Sequence, residues 1–409
     1  KNATVHACVN LEVRDDKAFI CVYASEKYDH ASVTLTRKGK TIFSAGTKLS
    51  PMHVFQKEIP AEVNDESDLT LRVTNGKEIL VEYTPLKKTV PVLPKPAEAA
   101  KDPQEIFTNE ELYLTGLHIE QYRHATYRPD PYYLEGLKRD PEDIRINTAY
   151  GMLLLRRGLF EESEKYFRSA IKRATWKNPN PYTSEPYYDL GLSLYYQKKY
   201  DGAYDAFYKA TWSNEQQEMS YYYLACIAAM RNDFIKALDF CEKGLVKNTH
   251  NIKARSLRVF LLRKLELTAE AKNAASENLR IEPFDFMTRL ENTYLNPKKA
   301  ARIFTEIRAL SQGNAETSIR TAIAYAEAGA YDEAIKTLTL CKQDNPMLFY
   351  YRAYYRSLQN KTDIKLIEKA DSMDGDYVFP NRLEDIAVLR HAIREYKKGS
   401  KAPYYLGNL

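Results

Sequence analysis

Two stretches of this chain gather side chains whose types and spacing could do chemistry. The first holds His118, Glu120, Gln121, Tyr122, Arg123 and His124. His118 and Tyr122 stand four residues apart, as do Glu120 and His124, so each pair shares one face of a helix. A metal site would need a third ligand, and nothing nearby in the sequence supplies one, so no metal is expected. The second stretch, Trp176–Pro186, is rich in Asn, Pro and Tyr. From it and the residues just after it, Tyr182, Glu185 and Tyr188 have the chemistry to contact a sugar. Aromatic faces stack on pyranose rings, and a carboxylate accepts hydrogen bonds from hydroxyls. Each stretch also has a plainer reading, the first as a polar helix sealing the start of a helical array and the second as a structural loop. No G-x-S-x-G, Walker, Rossmann or H-E-x-x-H pattern occurs. The pair Glu161-Glu162 reads as solvated charge. No catalytic residue and no cofactor are therefore expected.

What must position these residues is a repeat. Tyr187, Leu190, Gly191 and Leu194, followed by Tyr200, Ala203, Phe207 and Ala210, lie close to the tetratricopeptide pattern W-x2-L-G-x2-Y then A-x3-F. A period near 34 residues carries this pattern onto Tyr221, Leu224, Ala225, Ala228, Phe234, Ala237 and Cys241. Repeats are expected to start at Glu110, Ile144, Ser184, Glu218, Ile252, Ala315 and Phe349, with a shortened one before Ala315. Each is two antiparallel helices. Small residues allow the helices to approach closely, and large ones fill the remaining space. One such hairpin cannot bury its apolar face alone, so neighbours must stack. The expected fold class is therefore mainly α, a tetratricopeptide-repeat superhelix over residues 108–409.

Positions 2, 5, 9, 12 and 13 of each repeat predict the concave groove. They give Arg145, Thr148, Met152, Leu155 and Arg156, then Glu185, Tyr188, Leu192, Tyr195 and Tyr196, then Met219, Tyr222 and Cys226. The groove so drawn is apolar and aromatic in its middle. It lacks the Lys and Asn set that grips a peptide carboxylate. An open apolar stripe of this size is a liability in water. It is expected to be filled by another part of the same polypeptide, by a second protomer, or by an apolar peptide helix. The candidate partner-binding residues are Met152, Leu155, Leu192, Tyr195, Tyr196, Met219 and Tyr222.

Residues 1–84 read differently. Ala7, Val9, Leu11 and Val13 alternate with polar residues, and further short strands follow at about ten-residue spacing with turns such as Asn75-Gly76. This pattern predicts a small immunoglobulin-like β-sandwich ahead of the helices. Pro85, Pro91, Pro94, Pro96 and Pro103 mark a linker over 85–107. The helices resume at Thr108, three residues before Glu111, as in a capping box.

Composition narrows the function classes. Sixty basic and 55 acidic residues give a net charge of +5, which is too balanced to argue for nucleic acid. No apolar run is long enough to span a bilayer, so no membrane association is expected. Five cysteines show no metal-ligand spacing, and a reducing, cytoplasmic compartment is favoured. Cys8 and Cys21 could face each other across a hairpin, which leaves a disulfide between them open. The 32 tyrosines are unusual and often paired. One member of each pair suits the repeat core, while the other needs a partner for its hydroxyl.

Pro403–Leu409 copies the opening of a repeat, with Leu406-Gly407 matching Leu190-Gly191. From this the chain is expected to be part of a longer polypeptide.

Several strings are more specific than generic repeat positions. They are Thr115-Gly-Leu-His-Ile-Glu-Gln-Tyr-Arg-His-Ala-Thr126, Asn178-Pro-Asn-Pro-Tyr-Thr-Ser-Glu-Pro-Tyr-Tyr-Asp-Leu-Gly191, Phe379-Pro-Asn-Arg-Leu-Glu-Asp385 and Ala402-Pro-Tyr-Tyr-Leu-Gly407. In these the chain resembles the C-terminal half of bacterial proteins of domain-of-unknown-function family 5107. The resemblance covers about 110–409. It implies a large β-sandwich domain, similar to sugar-mutarotase folds, ahead of the repeats, and carbohydrate-related work. The expected function is a non-catalytic scaffold of a larger carbohydrate-active protein, with Tyr122, His124, Tyr182, Glu185 and Tyr188 reaching a sugar site of the upstream domain. The alternative is a free-standing adaptor that binds an apolar peptide or protein partner through its groove.

Overall fold

The computed structural model describes residues 1–61, 63, 65–87, 93 and 98–409. The chain forms two compact units, a β unit that begins at Lys1 and a helical unit that runs from Glu98.

The β unit is a two-sheet sandwich. One sheet has the order β1 (Asn2–Ala3), β2 (Ala7–Arg14), β3 (Lys17–Ala24), β6 (Phe55–Pro60). The other has the order β5 (Lys40–Leu49), β4 (Tyr28–Arg37), β7 (Leu69–Asn75), β8 (Glu78–Tyr83). With β2-β3-β6 facing β5-β4-β7-β8, this is the strand split of an immunoglobulin-like sandwich. The period-2 alternation works as expected, and Ala7, Val9 and Leu11 point into a core shared with Val33, Leu35 and Leu71. A tight turn at Asp15-Asp16 joins β2 to β3, with φ of 48° and 56°. Such two-residue hairpin turns need positive φ at both positions, which Asp tolerates better than most residues. The hairpin register pairs Cys8 with Tyr23 and Cys21 with Asn10, so the two cysteines are not opposite each other, and both are free thiols.

Of the proline-rich stretch 85–107, residues 88–92 and 94–97, and with them Pro91, Pro94 and Pro96, lie outside the described residues. Its end is not an open linker. Ile106 is buried against Leu112, Ile119 and Tyr132, and Arg139 donates to the Ile106 carbonyl at 2.7 Å. This segment belongs to the helical unit.

The helices stack as hairpins. They are α1 (Asn109–Gln121) with α2 (Asp130–Arg139), α3 (Ile144–Arg156) with α4 (Phe160–Ala174), and α5 (Glu185–Tyr196) with α6 (Tyr200–Ala210). Next come α7 (Asn214–Met230) with α8 (Phe234–Lys247), and α9 (Ile252–Lys264) with α10 (Thr268–Ile281). A short pair follows, α11 (Phe286–Leu295) with α12 (Ala300–Leu310), and then α13 (Ala315–Glu327) with α14 (Tyr331–Leu340). The last are α15 (Pro346–Ser357) with α16 (Ile364–Ser372), and α17 (Leu383–Glu395) with α18 (Lys401–Gly407). Thr108 caps α1 by accepting from the Glu111 amide at 3.2 Å.

One backbone feature recurs in register. Gly158, Lys198, Asn232, Glu266, Gly329 and Asn360 all have positive φ at the turn inside their hairpins. Each ends the first helix with a left-handed residue and frees the chain to reverse. Five of these sit fifteenth in the repeats that the sequence predicts. Asn360 does so only if its repeat starts at Pro346, so the start predicted at Phe349 is three residues late. Pro403 lies in α18, which packs on α17 and buries Ala402 and Tyr405.

Candidate functional site

The array folds back on itself, and this decides which part of the concave surface stays open. The Tyr222 hydroxyl on α7 donates to Glu327 on α13 at 2.6 Å, and the Tyr196 hydroxyl on α5 donates to Glu384 on α17 at 3.0 Å. Burial pushes both phenols upward, which keeps them protonated as donors. Close packing accompanies these bonds. Gly158, after α3, lies against α17: a Cβ there would press on the Cδ1 end of the Ile386 side chain, and its φ of 74° favours glycine in any case. Gly329 meets the backbone of Met230, its ideal Cβ lying 3.0 Å from that Cα.

The predicted groove residues accordingly divide. Leu155, Leu192 and Tyr222 are buried in the main core, and Met219 packs against it. Tyr195 and Tyr196 line an inner cavity of about 750 Å³ between the early helices and α13, α15 and α17. The aromatic middle of the groove is thus flanked by later helices of the same chain, which leave this cavity between them. His391 on α17 also faces this inner cavity, with Nε2 sealed and unpaired, and burial lowers its pKa.

Met152 is different. It lines a second cavity of about 490 Å³ between α1, α3 and α5. Leu117, Ile144, Ala149 and Pro186 add apolar wall, while Tyr113, Glu120, Arg123, Arg145, Arg156, Glu185 and Asp189 bring polar groups. Two of its arginines are engaged within the protein, Arg145 with Glu110 and Arg156 with Glu120. Glu120 also accepts from the Tyr133 hydroxyl at 3.0 Å. Thr148 turns its hydroxyl back to the Ile144 carbonyl at 2.7 Å.

Of the expected sugar-contacting residues, Glu185 reaches this cavity. Burial, and then the Glu215 carboxylate, raise its pKa. Tyr122 sits exposed after α1, its ring 4.5 Å from that of His118. His124 is occupied locally, because its Nδ1 accepts from the backbone amides of Thr126 at 3.3 Å and Tyr127 at 3.1 Å. Tyr182 is fully exposed. Tyr188 packs instead into the repeat core, 5.8 Å from the Phe207 ring and 6.4 Å from that of Tyr223. The five residues therefore do not converge on one site. Tyr188 serves packing and His124 a turn.

Sequence reasoning missed Asp189. It occupies position 6 of its repeat, next to the positions read as groove. It is 4% exposed and its Oδ2 has no hydrogen-bond partner. Burial first, then Glu185, raise its pKa well above the usual carboxylate range, and Arg156 opposes them. The available signal was spacing: Glu185 and Asp189 are four apart, two carboxylates on one helical face. Among the described residues, no group of three or more His, Cys, Asp or Glu could hold a metal ion. No described helix is long and apolar enough to cross a membrane.

Comparison with known proteins agrees with the two-part architecture. Residues 2–83 match the sequence profile described as YphG-like protein, second domain, and residues 131–179 match a tetratricopeptide repeat profile. Among solved structures, pilF of Pseudomonas aeruginosa is 17% identical, with a TM-score of 0.44, covering 53% of this chain and 97% of its own. A tetratricopeptide repeat protein from Parabacteroides merdae is 16% identical, with a TM-score of 0.38, covering 64% of this chain and 97% of its own. The C-terminal part of a repeat-containing protein from Cytophaga hutchinsonii is 13% identical, with a TM-score of 0.38, covering 73% and 98%. The fold is a tetratricopeptide-repeat array preceded by a small β-sandwich, with the repeat profile matched at α2–α4 and the YphG-like profile matched across the sandwich.

Proposed function

We propose that the helical unit is a non-catalytic protein-binding scaffold that takes its partner in the cavity between α1, α3 and α5. Tetratricopeptide repeats generally bind peptides or proteins. The observation that carries this reading is the closure of the array. Tyr196 and Tyr222 bond to Glu384 and Glu327 of the later helices, so the aromatic middle of the groove is bridged by the chain itself. The cavity of about 490 Å³ at the first repeats combines apolar wall with charged groups, as recognition sites do. A free-standing adaptor for an apolar helix has less support, because Leu155, Leu192 and Tyr222 of its stripe are buried in the core.

The partner we favour is a preceding domain of the same polypeptide. Two things support it: the sandwich matches a profile described as a second domain, and the strings between Thr115 and Gly407 resemble family 5107. The same resemblance supports carbohydrate-related work for the larger protein, with the exposed rings of Tyr122 and Tyr182 free to stack on a sugar.

Peptide display tests the scaffold reading. Ligands selected on this chain should lose about tenfold or more in affinity on Gln121→Trp, which caps the cavity from an exposed position. Ligands that bind the variant and the parent equally well would remove the cavity from the reading.

A further inference from the structure

We infer that the cavity between α1, α3 and α5 recognises a basic side chain, lysine or arginine, carried by the protein partner, with Asp189 and Glu185 as the anions that receive it. This rests on the scaffold reading above and names the chemistry of the same site.

Asp189 is 4% exposed, lines the cavity, and has an Oδ2 with no hydrogen-bond partner. Buried polar atoms in folded proteins nearly always find partners, and each exception calls for an explanation. Here the missing partner is a donor, and the open side of the residue is the cavity. The two oxygens exchange by rotation about a soft terminal torsion, so either can be presented to an occupant.

The charge count gives the sign. Arg145 and Arg156 are paired with Glu110 and Glu120. Glu185 and Asp189, one turn apart on α5, remain without an ion pair among the described residues, and each stands in the same cavity. Burial raises the pKa of both, and the Glu185 charge adds to the burden on Asp189. Arg123 at the exposed rim is the one further cation lining the space. A cationic occupant relieves the burial and the like-charge repulsion together. A neutral polyol donates hydrogen bonds but gives neither carboxylate a counter-charge. An anionic occupant adds to the repulsion.

Shape agrees with charge. Lysine and arginine carry a long apolar stem behind a charged head. Leu117, Ile144, Met152 and Pro186 offer apolar surface for the stem, and the two carboxylates lie in the same cavity for the head. A guanidinium or ammonium bound by carboxylates makes charge-assisted hydrogen bonds, the stronger kind. The competing arrangement is internal, with Arg156 leaving Glu120 to pair with Asp189. That would consume the site and leave no preference for a basic ligand.

The probes are Nα-acetyl-arginine amide and its neutral citrulline counterpart, measured by ligand-observed NMR titration against the whole chain. The arginine probe should bind at least about tenfold more tightly than the citrulline probe. Asp189→Asn should abolish that preference, and Glu185→Gln, at a more exposed position, should reduce it. Added salt should weaken the arginine probe and leave citrulline unchanged. Thermal melts check that both variants fold, and Glu185→Gln keeps the test decisive if Asp189→Asn does not. Equal binding of the two probes, binding of neither, or undiminished arginine preference in the folded variants would overturn the inference. Equal binding that Gln121→Trp abolishes would overturn the charge preference and leave the cavity as a binding site. Display-selected ligands that ignore Gln121→Trp would remove the site itself, so the two failures are told apart.

Discussion

Tyr196 and Glu384 stand 188 residues apart in sequence and are joined by a 3.0 Å hydrogen bond. The Phe160 ring stacks on Tyr196 at 5.1 Å, so the hydroxyl is held in place as it points at α17. This bond and the Tyr222–Glu327 bond turn a row of neighbours into an array whose early and late repeats touch. A solenoid in which each repeat meets only the next would have no such contact.

Tyr196→Phe removes the hydroxyl and keeps the stacking ring. It should cost about 1–2 kcal/mol, because the acceptor is a carboxylate. Denaturant melts measure the loss. Hydrogen exchange should quicken in α17 more than in α9 if the bond holds the closure. Uniform or unchanged exchange would show that closure does not depend on it.

Gly191 tests the packing of a hairpin. A Cβ at this position would lie 2.6 Å from ring atoms of Phe207, which is fully buried. Gly191→Leu should destabilise by about 1–3 kcal/mol or more, since the ring has little room to move. Gly46→Ala serves as the control, because nothing lies within 4 Å of the added carbon. Equal melting temperatures for the two variants would contradict the crossing at Gly191.

Glu327 links stability to pH. It is buried, and burial raises its pKa above 4.5, with Lys253 and the Tyr222 hydroxyl opposing. The folded state therefore holds this proton more tightly than the unfolded state. Its contribution is fully present below about pH 4.5 and is lost as pH rises through the window above that value. Glu327→Gln keeps an acceptor for Tyr222 and removes the charge. Relative to the variant, the parent should lose melting temperature between pH 5 and pH 8. Parallel pH profiles for the two proteins would show that Glu327 is not the group responsible.

Much of the architecture was legible in the sequence because it is set by near neighbours. Alternation at Ala7, Val9 and Leu11 predicts β2 since strand side chains alternate in facing. Gly191 and Phe207 predict a hairpin since sixteen residues of helix, turn and helix bring them face to face. The left-handed residues at the repeat turns, from Gly158 to Asn360, follow the same local rule. Where the local cue is weak the register shifts: the repeat that its residues place at Phe349 begins at Pro346, as the left-handed Asn360 shows.

The amino-acid sequence by itself determined a sandwich followed by stacked helix hairpins, because strand alternation and a 34-residue period each record contacts within or between adjacent elements. The tertiary structure alone decided that Tyr196 and Tyr222 face later helices rather than a partner, that Tyr188 and His124 serve packing and a turn, and that Asp189 is sealed without a partner. The meeting of Tyr196 and Tyr222 with α17 and α13 depends on the small rotation from each repeat to the next, summed over many repeats. No single repeat encodes that sum, so it brings together residues whose spacing in the sequence carries no sign of their meeting.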